Sequence, residues 1–181
     1  SGETSADLTV SSFTISTVLD AAGNTMTSTA VPSGTSNIAG AKAIVIDTTA
    51  PTIAQMAVSG DGSYKAGQSL TITATTNEPV RSGNTITVTF DTGETLTLTA
   101  ASAGTTLTGT YTVASGINSA DLTVTSFAVG TVFDTAGNPM TSTTLPTGAN
   151  AIGTGTAVVI DTTAPTIVSF TSSTANGSYK A

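Results

Sequence analysis

Apolar and hydroxylated residues alternate one for one through the middle of this chain. Leu70, Ile72 and Ala74 are interleaved with Thr71, Thr73 and Thr75, and Ile86, Val88 and Phe90 with Thr85, Thr87 and Thr89. Leu96 and Leu98 alternate with Thr95, Thr97 and Thr99, and Leu107, Tyr111 and Val113 with Thr106, Thr108, Thr110 and Thr112. A period of two sends successive side chains to opposite faces of a strand, so one set is buried and the other wetted. Thr suits the wet face because its β-branch restricts χ1. No segment carries the 3.6-residue period of an amphipathic helix. Gly60-Asp61-Gly62-Ser63, Ser82-Gly83-Asn84, Asp91-Thr92-Gly93, Ala103-Gly104 and Ala136-Gly137-Asn138 punctuate the pattern with residues that tolerate turns. The expected strands fall near residues 52–58, 69–76, 84–90, 94–100, 105–113, 121–128 and 155–161. The continuous apolar run at 157–160 suits a closing strand buried on both sides.

The chain also repeats itself. SADLTVSSF at residues 5–13 returns as SADLTVTSF at 119–127, DAAGN at 20–24 as DTAGN at 134–138, and IDTTAPTI at 46–53 unchanged at 160–167. The offset is always 114, and 31 of the 54 positions from 5 to 58 match their partners. That period exceeds a solenoid unit of about 20–50 residues and matches one β-sandwich domain of about 100 residues. The expected fold class is therefore all-β, built of tandem immunoglobulin-like β-sandwich domains with about seven strands per unit. Residues 1–47 correspond to the C-terminal part of one repeat, 48–161 to a complete repeat, and 162–181 to the N-terminal strand of the next. A partial unit without its middle strands cannot close a core, so neighbouring units of the same chain or of identical chains are the expected partners.

Composition narrows the chemistry. Without Cys, His or Trp, the chain has no thiol or imidazole chemistry, no Cys/His zinc site, no Ser-His-Asp triad and no disulfide. No nucleophile–base pair can be assembled, so no enzyme is expected. Eleven acids face four scattered bases (Lys42, Lys65, Arg81, Lys180), a net charge of −7. That disfavours nucleic acid and anionic membrane surfaces as partners. No apolar stretch reaches the ~18 residues of a membrane span, so no membrane insertion is expected in this segment. Large residues are few in the expected core, which limits what burial contributes, so an ion or a neighbouring unit would matter to stability.

The order DTTAPT[IV], GSYKAG, NEPV and DxAGN resembles the bacterial immunoglobulin-like repeats of giant surface adhesins, the calcium-dependent extender repeats of RTX-type and related biofilm adhesins. The resemblance covers the whole chain. Thr76 and Asn77 precede Glu78-Pro79 where many relatives have a Ser, but the Glu is kept. It implies sandwiches joined end to end, an extracellular position on the bacterial cell surface, and calcium at the junctions. The residues are compatible with that. Asp47 lies at a unit boundary, Asp20 in a loop of the preceding unit and Glu78 in a loop of the following one. If units stack, these three are expected to meet, with Asn24 and the carbonyl of Thr48 or Thr49 completing a six- to eight-oxygen shell. Asp134, Asn138 and Asp161 are expected to repeat half of that site. The competing reading makes Asp20 and Asp134 turn residues and Asp47 a strand cap.

Other motifs weigh less. Asp91-Thr92-Gly93 reads as a hairpin turn rather than half of an aspartic-protease dyad, with an extra calcium at Asp91 and Glu94 as a minor alternative. The Thr ladders invite comparison with ice-binding surfaces, but sheets twist. Tyr64 and Tyr179 read as packing residues at a domain pole, and residues 146–155 as a Gly/Ala-rich connection. The expected function is a structural spacer of a long surface adhesin that holds a distal adhesive module, of unknown partner, away from the envelope. The alternative is a self-assembling subunit of an extracellular filament, sheath or surface layer.

Overall fold

The computed structural model describes residues 2–154 and 157–180. Alternation produces the strands it predicts. They are β1 (Ile53–Val58), β2 (Gly62–Tyr64), β3 (Ser69–Val80), β4 (Thr85–Phe90), β5 (Thr95–Thr99), β6 (Gly104–Thr112), β7 (Val124–Val129) and β8 (Val158–Ile160). Six of them form one curled antiparallel sheet in the order β1-β3-β6-β5-β4-β7. The other two, β2 and β8, pair in parallel, Gly62 with Val158 and Tyr64 with Ile160. A short antiparallel contact, Ser119 with Ile160, and a bond from Leu122 N to the Val158 carbonyl (2.7 Å) tie β8 to the segment that leads into β7.

The apolar set faces inward. Leu70, Ile72, Ala74, Ile86, Val88, Phe90, Leu98 and Leu107 are each at most 1% exposed. Their Thr neighbours point outward and meet in register: Thr71 faces Thr110, Thr73 faces Thr108, and Thr87 faces Thr97. Two hydroxyl pairs touch on that face, Ser69 with Thr112 at 3.0 Å and Thr87 with Thr97 at 3.3 Å. Phe90 and Tyr111 supply the aromatic contact of the interior, with centroids 4.8 Å apart and planes tilted by 49°. Gly109 occupies an inward position of β6. A Cβ there would lie 2.7 Å from the Thr97 carbonyl oxygen, so the close approach of β5 and β6 requires glycine.

Several expectations need correction. β3 continues through Asn77, Glu78 and Pro79 to Val80, past the expected end at 76, because Val80 pairs with Gly104 after an irregularity and with Asp134. β2 lacks an alternating pattern and is not among the expected strands; the parallel contact with β8 makes it. β7 begins at Val124 rather than 121, because Asp121 turns its side chain back to accept from Val158 N (3.1 Å). In the expected closing strand, residues 155 and 156 lie outside the described residues. Val158 and Ile160 there are buried while Val159 is half-buried and Ala157 exposed, so this strand alternates rather than being buried on both sides. A single helical turn, Ile38–Ala41, appears without a helical period because Asn37 caps it, its side chain accepting from Ile38 N.

Among the described residues, every buried one lies between Pro51 and Ile160. Leu8, Val10, Val18, Leu19, Met26 and Val45 on one side of that body, and Ile167, Val168 and Phe170 on the other, are exposed. Residues 2–47 carry the bridges Ser5 with Ile46 and Leu19 with Thr25. The first repeats Ser119 with Ile160, and the second repeats Phe133 with Pro139, at the 114-residue offset.

Because Phe90 is 1% exposed and anchors the ring pair, Phe90→Ala should cost about 3–5 kcal/mol. Equilibrium urea unfolding measures this. A loss under about 1 kcal/mol would mean that the interior does not depend on this ring.

Candidate metal centre

Antiparallel pairing decides which strand ends meet. β1 runs against β3, and each following neighbour reverses again through β6, β5 and β4 to β7. The start of β1, the end of β3 and the exit of β7 therefore share one pole. Each brings an acid. Asp47 lies on the approach to β1, Glu78 near the end of β3, and Asp134 in the loop after β7. The bridge from Val80 to Asp134 and the bond from Arg81 N to the Phe133 carbonyl (3.0 Å) hold that loop against β3. One carboxylate oxygen from each of Asp47, Glu78 and Asp134 lies within 4.8 Å of the others. Asp134 is 1% exposed and the other two are half-buried.

The three acids are held differently. Asp134 Oδ1 accepts from Gly137 N (2.5 Å) and Asn138 N (2.8 Å), and Oδ2 accepts from Asn138 Nδ2 (2.7 Å). Gly137 makes this turn with a φ of +105°, a left-handed conformation that favours glycine. Asp47 Oδ1 accepts from Thr49 N (2.9 Å). Glu78 has only a long contact from Asn77 Nδ2 to Oε1 (3.5 Å). Asn77 itself is fastened to the approach to β1, its Oδ1 accepting from Thr52 N (2.6 Å) and its N donating to the Thr52 carbonyl (3.1 Å). Among the described residues, the remaining carboxylate oxygens of Asp47 and Glu78 accept no hydrogen bond.

Electrostatics follow from this. Burial pushes the Glu78 carboxyl above its ordinary value, the charges of Asp47 and Asp134 push it further, and Asn77 opposes them weakly. Burial also pushes Asp134 upward, but donors from the Asn138 side chain and from the backbone of Asn138, Gly137 and Ala136 outweigh it and hold the carboxyl low. The one arginine nearby does not neutralise the cluster. Its Nη2 donates to the Thr135 carbonyl (3.3 Å) and its guanidinium lies 5.9 Å from the Phe133 ring centroid. Among the described residues the three close carboxylates have no cationic partner, so they repel. A divalent ion would reverse that, and an all-oxygen donor set suits a hard one. The acidic group could therefore bind a metal ion.

Asp47 and Glu78 meet as expected, but the third acid is Asp134, not Asp20. The DxAGN loop follows β7 and so belongs to the same pole of its own unit as the end of β3. In residues 2–47 the equivalent loop is exposed and self-contained: Ala22 N and Asn24 N donate to Asp20 Oδ1 (2.9 and 2.8 Å), and Asn24 Nδ2 donates to Asp20 Oδ2 (2.9 Å). These bonds, that from the Asn24 side chain first, hold Asp20 below its ordinary value. The expected pairing of Asp134 with Asp161 fails for the same reason. Asp161 follows β8, which runs opposite to β7 and ends at the other pole. There it accepts from Thr163 N (2.8 Å), as Asp47 does from Thr49, in a shallow groove with Asn118, Ser119 and Ile160. The matching groove at Asp47 is lined by Ser5 and Ile46 and, in addition, by Asn77 and Glu78.

Asp91 is a structural turn residue. Its carboxylate accepts from Ser119 Oγ (2.6 Å) and Thr123 N (3.1 Å), so both oxygens are occupied within the fold. Tyr64 packs half-buried at the edge of the core, whereas Tyr179 is exposed. Asn77 is not among the expected site residues; its one signal in the sequence is its place immediately before Glu78-Pro79. No family model, curated protein or solved structure matches this chain significantly.

A carboxyl whose pKa is higher folded than unfolded takes up a proton more readily when folded. The metal-free protein should therefore gain stability as pH falls from neutrality through the raised Glu78 value. At lower pH it should lose stability as Asp134 is protonated through its depressed value. Thermal unfolding in chelator across this range should show the gain in the native chain and its absence in Glu78→Gln. Superimposable pH profiles would refute the coupling.

Proposed function

We propose that this chain is a spacer segment of a long bacterial cell-surface adhesin, built of tandem immunoglobulin-like β-sandwiches, with calcium locking successive units. The observation that carries the reading is the meeting of Asp47, from the connection between repeats, with Glu78 and Asp134 of the unit that follows. An ion held there joins the incoming chain to the body of the next unit. The sheet order, with β8 joined to the segment before β7, supports the immunoglobulin-like sandwich. The motif resemblance to adhesin extender repeats supports the extracellular, biofilm-associated setting, where calcium modules bind with Kd of about 10⁻⁴–10⁻³ M. At about 100 times Kd, one site adds about 2.7 kcal/mol to the bound state. That is a large share of the net stability of a domain with a lightly filled core.

Calorimetric calcium titration combined with small-angle scattering tests this. Calcium should bind and narrow the range of interunit arrangements relative to chelator. Glu78→Ala should weaken binding at least tenfold and leave the scattering profile insensitive to calcium. No heat of binding in the native protein would remove the locking role.

A second reading is favoured by the exposed apolar residues Leu19, Val45, Ile167, Val168 and Phe170. Strands from identical chains could cover them by β-strand addition, which would give a filament, sheath or surface layer. Electron microscopy separates the two readings: threads of variable length support the spacer, and a helical lattice of fixed rise supports the polymer.

A further inference from the structure

We infer that Asn138 is a metal-independent latch that ties the junction segment to the carboxylate cluster, acting as the positioning residue of the site rather than as a ligand. Its side-chain amide spans two parts of the chain. Nδ2 donates to Asp134 Oδ2 at 2.7 Å and to the main-chain carbonyl of Asp47, 91 residues away, at 3.0 Å. Both amide protons are thereby used. Both neighbours are acceptors, so turning the amide over would set its oxygen against a carbonyl and a carboxylate. The orientation is dictated by the surroundings.

The chain carries a second copy of the loop for comparison. Asn24 stands at the same place in the other copy of the loop and makes the same intraloop bonds, to Asp20 Oδ1 through its backbone and to Oδ2 through its side chain. Among the described residues the Asn24 amide bonds only within its own loop, which is exposed, whereas Asn138 and Asp134 are sheltered and Asn138 holds the Asp47 carbonyl as well. The local turn therefore accounts for the bond to the Asp, and the docked junction accounts for the second one. The latch fixes the Asp47 main chain beside Asp134 while the three carboxylates still repel. An arriving cation then finds the donors already placed, as outer-sphere hydrogen bonds do for metal ligands generally.

The affinity part of this inference rests on the proposed cation site; the latch itself does not. The chain has no cysteine, so Cys pairs introduced at the exposed positions Thr27 and Ser102 accept spin labels cleanly. In chelator, Asn138→Leu should broaden the distance distribution between the labels, and Asn24→Leu should leave it unchanged. Terbium luminescence titration should show a loss of about 10–100-fold in affinity for Asn138→Leu and none for Asn24→Leu. A distance distribution unchanged by Asn138→Leu in chelator overturns the latch, whatever the terbium titration shows. Failure of the native chain to bind terbium, with the broadening still present, removes the cation reading and leaves the latch standing. If Asn138→Leu does not unfold cooperatively, side-chain amide exchange in the native metal-free chain decides instead. Asn138 protons should exchange more slowly than those of Asn24, and equal rates overturn the inference.

Discussion

Unbroken antiparallel pairing from β1 to β7 is the constraint from which the rest of this structure follows. Each reversal sends the next strand back to the opposite pole, so position in the sheet order determines where every loop emerges. The start of β1, the end of β3 and the exit of β7 have no choice but to gather at one pole. The acids on them are then neighbours although Asp47 and Asp134 are far apart in sequence. The same pairing sets the core. With the alternating Thr of β3, β4, β5 and β6 held outward, the inward positions fall mainly to Leu, Ile, Val, Ala and the Phe90–Tyr111 pair, with Gly109 and the buried Thr76 as the exceptions.

The two halves of that arrangement oppose one another. Burial of apolar side chains favours closure of the sheet and brings the loops together. Closure also brings three negative charges within 4.8 Å and raises the protonation tendency of Glu78. Asp134 tolerates its burial because its own loop surrounds it with donors. Glu78 has almost none. The tension is thus concentrated on one residue, which is where a cation would have the largest effect.

Most of the strands were legible because alternation is a local property. Leu70 to Ala74, Ile86 to Phe90 and Leu107 to Val113 need no tertiary information to be assigned. β2 was not legible, since Gly62–Tyr64 is a strand only because β8 lies beside it. The continuation of β3 through Pro79 was hidden for a related reason: Val80 is held by Asp134, 54 positions on. In the site, residue identities could be read but their grouping could not. Asp47 and Glu78 flank the same repeat boundary, which made their meeting visible in one dimension. Choosing between Asp20 and Asp134 requires knowing at which pole the DxAGN loop emerges, and that depends on the number of reversals between β1 and β7.

The parallel contact between β2 and β8 carries a mechanical consequence. The chain enters this body at the pole of Asp47 and leaves it at the pole of Asp161. Tension applied between those poles draws β2 and β8 past each other along their common axis. Their hydrogen bonds are then loaded together in shear rather than opened one after another. The three β2–β8 residue pairs thus resist extension together with the β1–β3 pairing that precedes them along the chain.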